Sequence, residues 1–151
     1  MFLLISLLKI NLVMEFISNT SMHGYIKTFE NRKIPEKEVR YIFKQIVEGI
    51  HYLHSNNYVH RDIKLENILI DKKNKMIKII DFGFSVSVQA DKKLCMFCGT
   101  PSYMAPEIVS KQEYNGKCVD IWAMGILLFT MLCGKFPFKG SFIIFIFLFF
   151  L

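Results

Sequence analysis

Arginine is scarce in this sequence: of 19 basic residues only Arg32, Arg40 and Arg61 are arginines. The net charge of +6 is therefore carried mainly by lysines. Their densest run, DKKNK at 71–75, reads as a solvated hairpin turn rather than a groove-reading face. No nucleic-acid partner is expected, and a polyanionic small ligand suits the basic balance as well. A second CxxC is also lacking. Cys95 and Cys98 form one such pair, Cys118 and Cys133 stand apart, and nothing at metal-ligand spacing follows, so ordinary thiols are expected rather than a zinc site. The start, MFLLISLL, has neither a basic opening nor a small-residue cleavage site. A secretory signal is not expected, and reduced thiols in the cytoplasm are. Internal repeats and low-complexity linkers are missing too. The uninterrupted apolar run FIIFIFLFFL at 142–151 has about half the length of a spanning helix. It reads as an aggregation-prone segment, with membrane contact the less favoured alternative.

What is present describes a folded domain. Over 151 residues, 52% are hydrophobic and 21% charged, which excludes general disorder and supplies one core. INLVMEFI at 10–17 has the alternation and branching of a strand, and SNTSMHG at 18–24 breaks it. From Pro35 to about Ser55, Val39, Ile42, Phe43, Ile46, Val47, Ile50 and Leu53 recur at helical spacing, with Pro35 suited to the first turn. NILI and MIKII flank the lysine-rich turn as a small hairpin. DIWAMGILLFTMLCG at 120–134 is apolar on nearly every face, which predicts a buried helix ended by Gly134.

The polar clusters fall at the edges of the hairpin and on the loop after it. YVHRDIKLENILID, Tyr58 to Asp71, sets Asp62, Lys64, Glu66 and Asn67 within six residues. The hairpin returns Asp81, at the head of DFGFS, toward Asn67. Asp and Asn oxygens converging on one point suit a hard divalent cation, Mg²⁺ above all. Asp62 could accept a proton from an incoming hydroxyl, and Lys64 could neutralise charge on a group in transfer. The composite is a phosphoryl-transfer site. Taken singly, each cluster is equally well a set of turn residues.

Read together and in order, HRDIKLEN, DFG, GTPSYMAPE and DIWAMG resemble the protein kinase family over about residues 11–140. The resemblance implies an α+β fold, mostly the helical large lobe and truncated at both ends, with an apolar segment at 1–10 and the Phe-rich tail at 141–151. It implies a serine/threonine protein kinase, since Lys64 stands two residues beyond Asp62. Its cofactors would be ATP and Mg²⁺, and its partner a protein substrate with a Ser or Thr acceptor. On the family's pattern Asp62 is the catalytic base and Lys64 contacts the γ-phosphate. Asn67 and Asp81 hold the metal, and Glu66 counts with the nucleotide set. Glu15 and Ile17 resemble the hinge that pairs with adenine, with Met14 guarding the pocket behind and Leu69 packing beneath the ring. Thr100 braces Asp62 and Lys64, and Asp120 bonds the backbone around His60 and Arg61. His60 stacks on Phe82, which with Gly83 completes the DFG. GKFPF and the stretch from DFG to APE look most like calcium/calmodulin-dependent or energy-sensing relatives.

The sequence departs from that pattern in three places. No glycine-rich loop and no suitable strand lysine precede the hinge. Glu107 of APE lacks the later helix whose arginine the family pairs with it. Met96 stands where many members carry a phosphorylated threonine that engages the arginine of HRD. These departures imply a kinase inactive as this stretch alone, and they support an alternative, a non-catalytic kinase-like binding or docking module.

Overall fold

The computed structural model describes residues 2–6, 9–89 and 92–138; the apolar run at 142–151 lies outside them. Strands β1 (Phe2–Ser6) and β2 (Lys9–Val13) form an antiparallel pair with Phe2 opposite Val13. The strand expected over 10–17 is thus shorter. It crosses the boundary placed at residue 10, and residues 14–17 have no regular structure. Then come α1 (Met22–Ile26), α2 (Glu36–Ser55) and β3 (Tyr58–Val59). The hairpin β4 (Ile68–Ile70) and β5 (Ile77–Ile79) follows, then β6 (Val86–Ser87), α3 (Pro106–Val109) and α4 (Gly116–Cys133).

Helix α2 forms where the periodicity predicts it. Val39, Ile42, Ile46 and Ile50 are buried on one face, and Glu36 and Glu38 in the first turn complement the helix dipole. Pro35 is the residue before the helix rather than within its first turn. Its fixed φ still directs the entry, while Ile34 N–H donates to the Met131 carbonyl (3.0 Å) and ties that entry to the end of α4. Against this face pack Met22 and Tyr25 of α1, Ile68 and Ile70 of β4, and Leu127 and Met131 of α4, in one core. Gly49 allows the close approach of β5: a Cβ there would meet Ile79 Cδ1 at 3.0 Å.

Helix α4 begins earlier than the apolar run suggested. The Asn115 side chain accepts from Lys117 N–H (2.9 Å) and Cys118 N–H (3.3 Å), capping a helix that opens at Gly116. Its 18 residues with mean hydropathy 1.6 have the length and composition of a membrane span. Its interior face nevertheless buries Asp120 and Thr130, and it packs on α2 in the core. Ile121 is 58% exposed and Phe129 is exposed too, so the helix expected to be buried leaves part of its apolar surface open among the described residues.

Gly134 ends α4 in the left-handed region at φ 71° and donates to the Thr130 carbonyl (2.9 Å). A Cβ at Gly134 would clash with the Asn31 carbonyl oxygen. Gly134→Ala is therefore expected to destabilise the fold by at least about 1–2 kcal/mol from the backbone conformation alone, with the steric clash added. Urea denaturation checks it; an unchanged midpoint would show that the 31–32 turn does not press on the helix end.

Candidate functional site

The site is built on a strained turn. After β3 the chain enters His60 and Arg61, and Arg61 takes φ 67°, a conformation a bulky residue adopts only when its surroundings impose it. Asp120 imposes it. Oδ2 accepts from the His60 N–H (2.9 Å) and lies 2.8 Å from His54 Nε2, while Oδ1 accepts from the Arg61 N–H (2.8 Å). One fully buried carboxylate on α4 thus satisfies two loop amides and a ring nitrogen of α2.

His60 is fully buried, with its ring centroid 5.0 Å from that of Phe82. Its Nε2 lies 3.1 Å from the Ile80 carbonyl and its Nδ1 accepts from the Asp62 N–H (3.2 Å). Those partners call for a neutral ring protonated on Nε2. Burial pushes its pKa below the usual 6.5, against the Ile80 carbonyl and the carboxylates of Asp120, Asp62 and Asp81. His60 is a packed histidine, as the sequence implied.

That frame delivers Asp62, 5% exposed, to the next layer. Oδ2 accepts from Lys64 Nζ (2.6 Å) and from the Asn67 amide (3.1 Å), and Oδ1 accepts from the Thr100 hydroxyl (2.7 Å). Lys64 Nζ also donates to Thr100 Oγ1 (3.0 Å), closing a triangle. Burial by itself would raise the Asp62 pKa. The bonds from Lys64 and Thr100, the lysine's charge and the Asn67 bond outweigh it, and hold the carboxyl below the usual 3.8. The Asn67 amide donates a second time to the Asp62 carbonyl (2.9 Å), so its nitrogen faces the loop.

Asp81 arrives by the hairpin. Ile80 N–H donates to the Asn67 carbonyl (2.9 Å), which makes Asp81 the next residue along. It too is left-handed, at φ 62°, and its Oδ1 accepts from Gly83 N–H (3.3 Å). The carboxylate of Asp81 and the side-chain oxygen of Asn67 are hard donors on adjoining strand ends. This set fits Mg²⁺, which takes one or two protein oxygens and completes its shell with water and phosphate. Among the described residues no three His, Cys, Asp or Glu side chains gather at one point. Cys95 and Cys98 therefore have no further protein ligands there, and all four cysteines are free thiols.

Other expected residues stand differently. Met14 is 64% exposed and Glu15, also exposed, pairs with Lys78 (3.1 Å). Nothing among the described residues covers Met14. Ile17 and Leu69 are half-buried, and Leu69 is tied through an isolated bridge to Ser21. Glu66 points away from the Asp62 triangle to His23 Nδ1 (2.7 Å). Phe82 is 48% exposed beside a cavity of about 410 Å³ lined in part by Tyr52, Leu53, Ile77 and Ile79. Glu107 is half-buried and makes no ion pair among the described residues. Three contributors carried no sequence signal: His54 on Asp120, Tyr103, whose hydroxyl accepts from Leu65 N–H (3.3 Å), and Tyr114.

The neutral His60 gives a pH dependence. In the unfolded chain it titrates near 6.5 and in the folded one lower. The unfolded state therefore binds more protons between those values, and stability falls as pH drops from about 6.5 toward the folded pKa. The depressed Asp62 contributes its own loss only at lower pH, below about 3.8. Urea midpoints at pH 7.5 and 5.5 should differ more in the unsubstituted protein than in His60→Gln; equal differences would mean His60 is not the titrating group.

Comparison with known proteins gives a family for this geometry. The model of the protein kinase domain family matches residues 6–143. The chain is 50% identical over 132 residues to NUAK family SNF1-like kinase 1 of Mus musculus, covering 87% of this chain and 20% of that protein. It is 45% identical over 133 residues to the probable serine/threonine-protein kinase HSL1 of Saccharomyces cerevisiae, covering 88% and 9% respectively. Against the probable serine/threonine-protein kinase MARK-C of Dictyostelium discoideum identity is 45% over 130 residues, 86% of this chain and 16% of that protein. The chain thus spans a fifth or less of the length of these relatives.

Proposed function

Because the chain belongs to the protein kinase family, we propose that it carries the catalytic face of a serine/threonine kinase, moving the ATP γ-phosphoryl group to a protein hydroxyl. The observation that carries this reading is the closed triangle of Asp62, Lys64 and Thr100 beside Asn67. The names of the relatives, all kinases and two of them serine/threonine-protein kinases, support the reaction class.

Each residue then has a task. Asp62 is held ionised and buried at the head of the loop. It orients the acceptor Ser or Thr hydroxyl and takes its proton as the oxygen–phosphorus bond forms and the bond to the ADP oxygen breaks. Lys64, anchored between Asp62 and Thr100, presents its ammonium to the charge on the phosphoryl oxygens. Asn67 and Asp81 would hold Mg²⁺, which would supply positive charge to neutralise the phosphates. Glu15 and Ile17 offer backbone to adenine, with Leu69 below it. Four unpaired cysteines support a cytoplasmic setting.

The test is Asp62→Asn in a protein that joins a nucleotide-covering lobe to this chain. With a Ser-containing peptide, kcat should fall by roughly 10²–10⁴-fold at little change in KM for ATP. Undiminished turnover would remove Asp62 from the role of base.

A second reading, a docking module, is favoured by the exposed apolar residues Ile121 and Phe129 of α4 and by exposed Phe82. Calorimetric titration of the 151-residue chain with Mg²⁺ and ATP separates the two: heat of binding abolished by Asp81→Ala supports the kinase reading, and no binding by the unsubstituted chain supports docking.

A further inference from the structure

Arg61 turns its side chain away from the Asp62 triangle. Its backbone is fixed by Asp120 (2.8 Å), but its guanidinium reaches outward. Nε donates to the Phe84 carbonyl (2.7 Å), and Nη1 lies 3.4 Å from the Tyr114 hydroxyl. No carboxylate pairs with it among the described residues. A guanidinium with one carbonyl and one hydroxyl for company is unusual, because it commonly sits against an anion.

Tyr114 is placed to supply more than packing. It is 3% exposed among Ala105, Ile108 and Val119, directly before the Asn115 cap of α4. Its backbone exchanges two hydrogen bonds of 2.8 Å with Leu94, and its hydroxyl donates to the Met96 carbonyl (2.8 Å). Three bonds thus staple residues 94–96 to the foot of α4, and the hydroxyl at the centre also faces Arg61. Burial, with the neighbouring Cys98 thiol 3.9 Å away, keeps that hydroxyl protonated and able to donate.

We propose that Tyr114 is a positioning residue for phosphoryl transfer. Its hydroxyl joins Arg61 to the backbone at Met96 and so orders the catalytic loop with no phosphate on residues 92–98, where Met96 can carry none. The proposal rests on the kinase reading for its purpose, not for its geometry. Arg61 precedes Asp62 directly and holds Phe84, three residues after Asp81. One hydroxyl therefore tensions the base, the metal-side segment and the 94–96 segment together. A tyrosine present only to fill the cluster would be replaceable by phenylalanine.

Amide hydrogen exchange on the 151-residue chain tests this without any need for turnover, so its failure leaves the kinase reading standing, and the reverse holds as well. In Tyr114→Phe, peptides covering 94–98 and 60–64 should exchange about five- to tenfold faster, the loss of one buried hydrogen bond, while α2 keeps its protection. Adding Met96→Glu to that variant should bring both peptides back to within about twofold by giving Arg61 a carboxylate, a rescue that restored packing alone would not produce. Unchanged exchange in Tyr114→Phe overturns the proposal, and so does loosening that Met96→Glu leaves uncorrected. Should Tyr114→Phe also lose protection in α2, Arg61→Met carries the test: faster exchange at 84–87 and 94–98 with α2 intact supports the linkage, and unaltered exchange in either segment refutes it.

Discussion

Everything in the site hangs from the carboxylate of Asp120. It is fully buried on the core helix, and the groups it satisfies are the amides of His60 and Arg61 and the ring of His54. A buried carboxylate without donors would be costly, and so would three donors without an acceptor. The two needs meet in a single geometry, and that geometry holds Arg61 at φ 67°. The turn that results makes Asp62 face Lys64, Thr100 and Asn67 instead of continuing β3. A strained backbone next to Asp62 is thus maintained by a charge rooted in α4.

Thr100 shows how far apart in sequence such a site is assembled. It lies 38 residues beyond Asp62, yet its hydroxyl both donates to Asp62 and accepts from Lys64. Gly99, just before it, has φ 107°, and a Cβ there would fall 2.9 Å from the Arg61 carbonyl. The glycine is needed because the loop crosses directly over the strained turn. Thr100 can reach the triangle only if that crossing is tight.

The legible parts of the fold were those whose cause is local. Helix α2 announced itself through Val39, Ile42, Ile46 and Ile50, the hairpin through two apolar runs about a lysine turn, and the end of α4 through Gly134. Asp62, Lys64 and Asn67 were visible because they are close neighbours in the chain. The roles of Thr100 and Asp120 were reachable only through the family resemblance, since no local pattern marks them. Tyr114, Tyr103 and His54 escaped altogether: each acts through one hydroxyl or ring nitrogen on a distant partner, and a tyrosine in a core looks the same in sequence whether or not its hydroxyl is used. The strand over 10–17 was overextended for a related reason. Alternation extends to Ile17, but among the described residues pairing with β1 runs only from Lys9 to Val13. Met14 and Phe16 are left exposed.

On the proposed kinase reading, the same network explains why Asp62 suits phosphoryl transfer. Lys64, Thr100 and Asn67 hold its pKa low, which would handicap a base that had to strip a proton from a hydroxyl before bond formation. Phosphoryl transfer does not demand that. Its transition state is loose, the hydroxyl loses its proton late, and the protein contributes chiefly placement and charge. A carboxylate that is ionised at neutral pH and held by three donors is a precise acceptor for the hydroxyl hydrogen, at some cost in basicity. Lys64 shares in that arrangement: an ammonium fixed at two points offers its remaining hydrogen in one direction. The bonds that weaken Asp62 as a base are thus the ones that aim Lys64, and for a reaction governed by alignment the exchange is favourable.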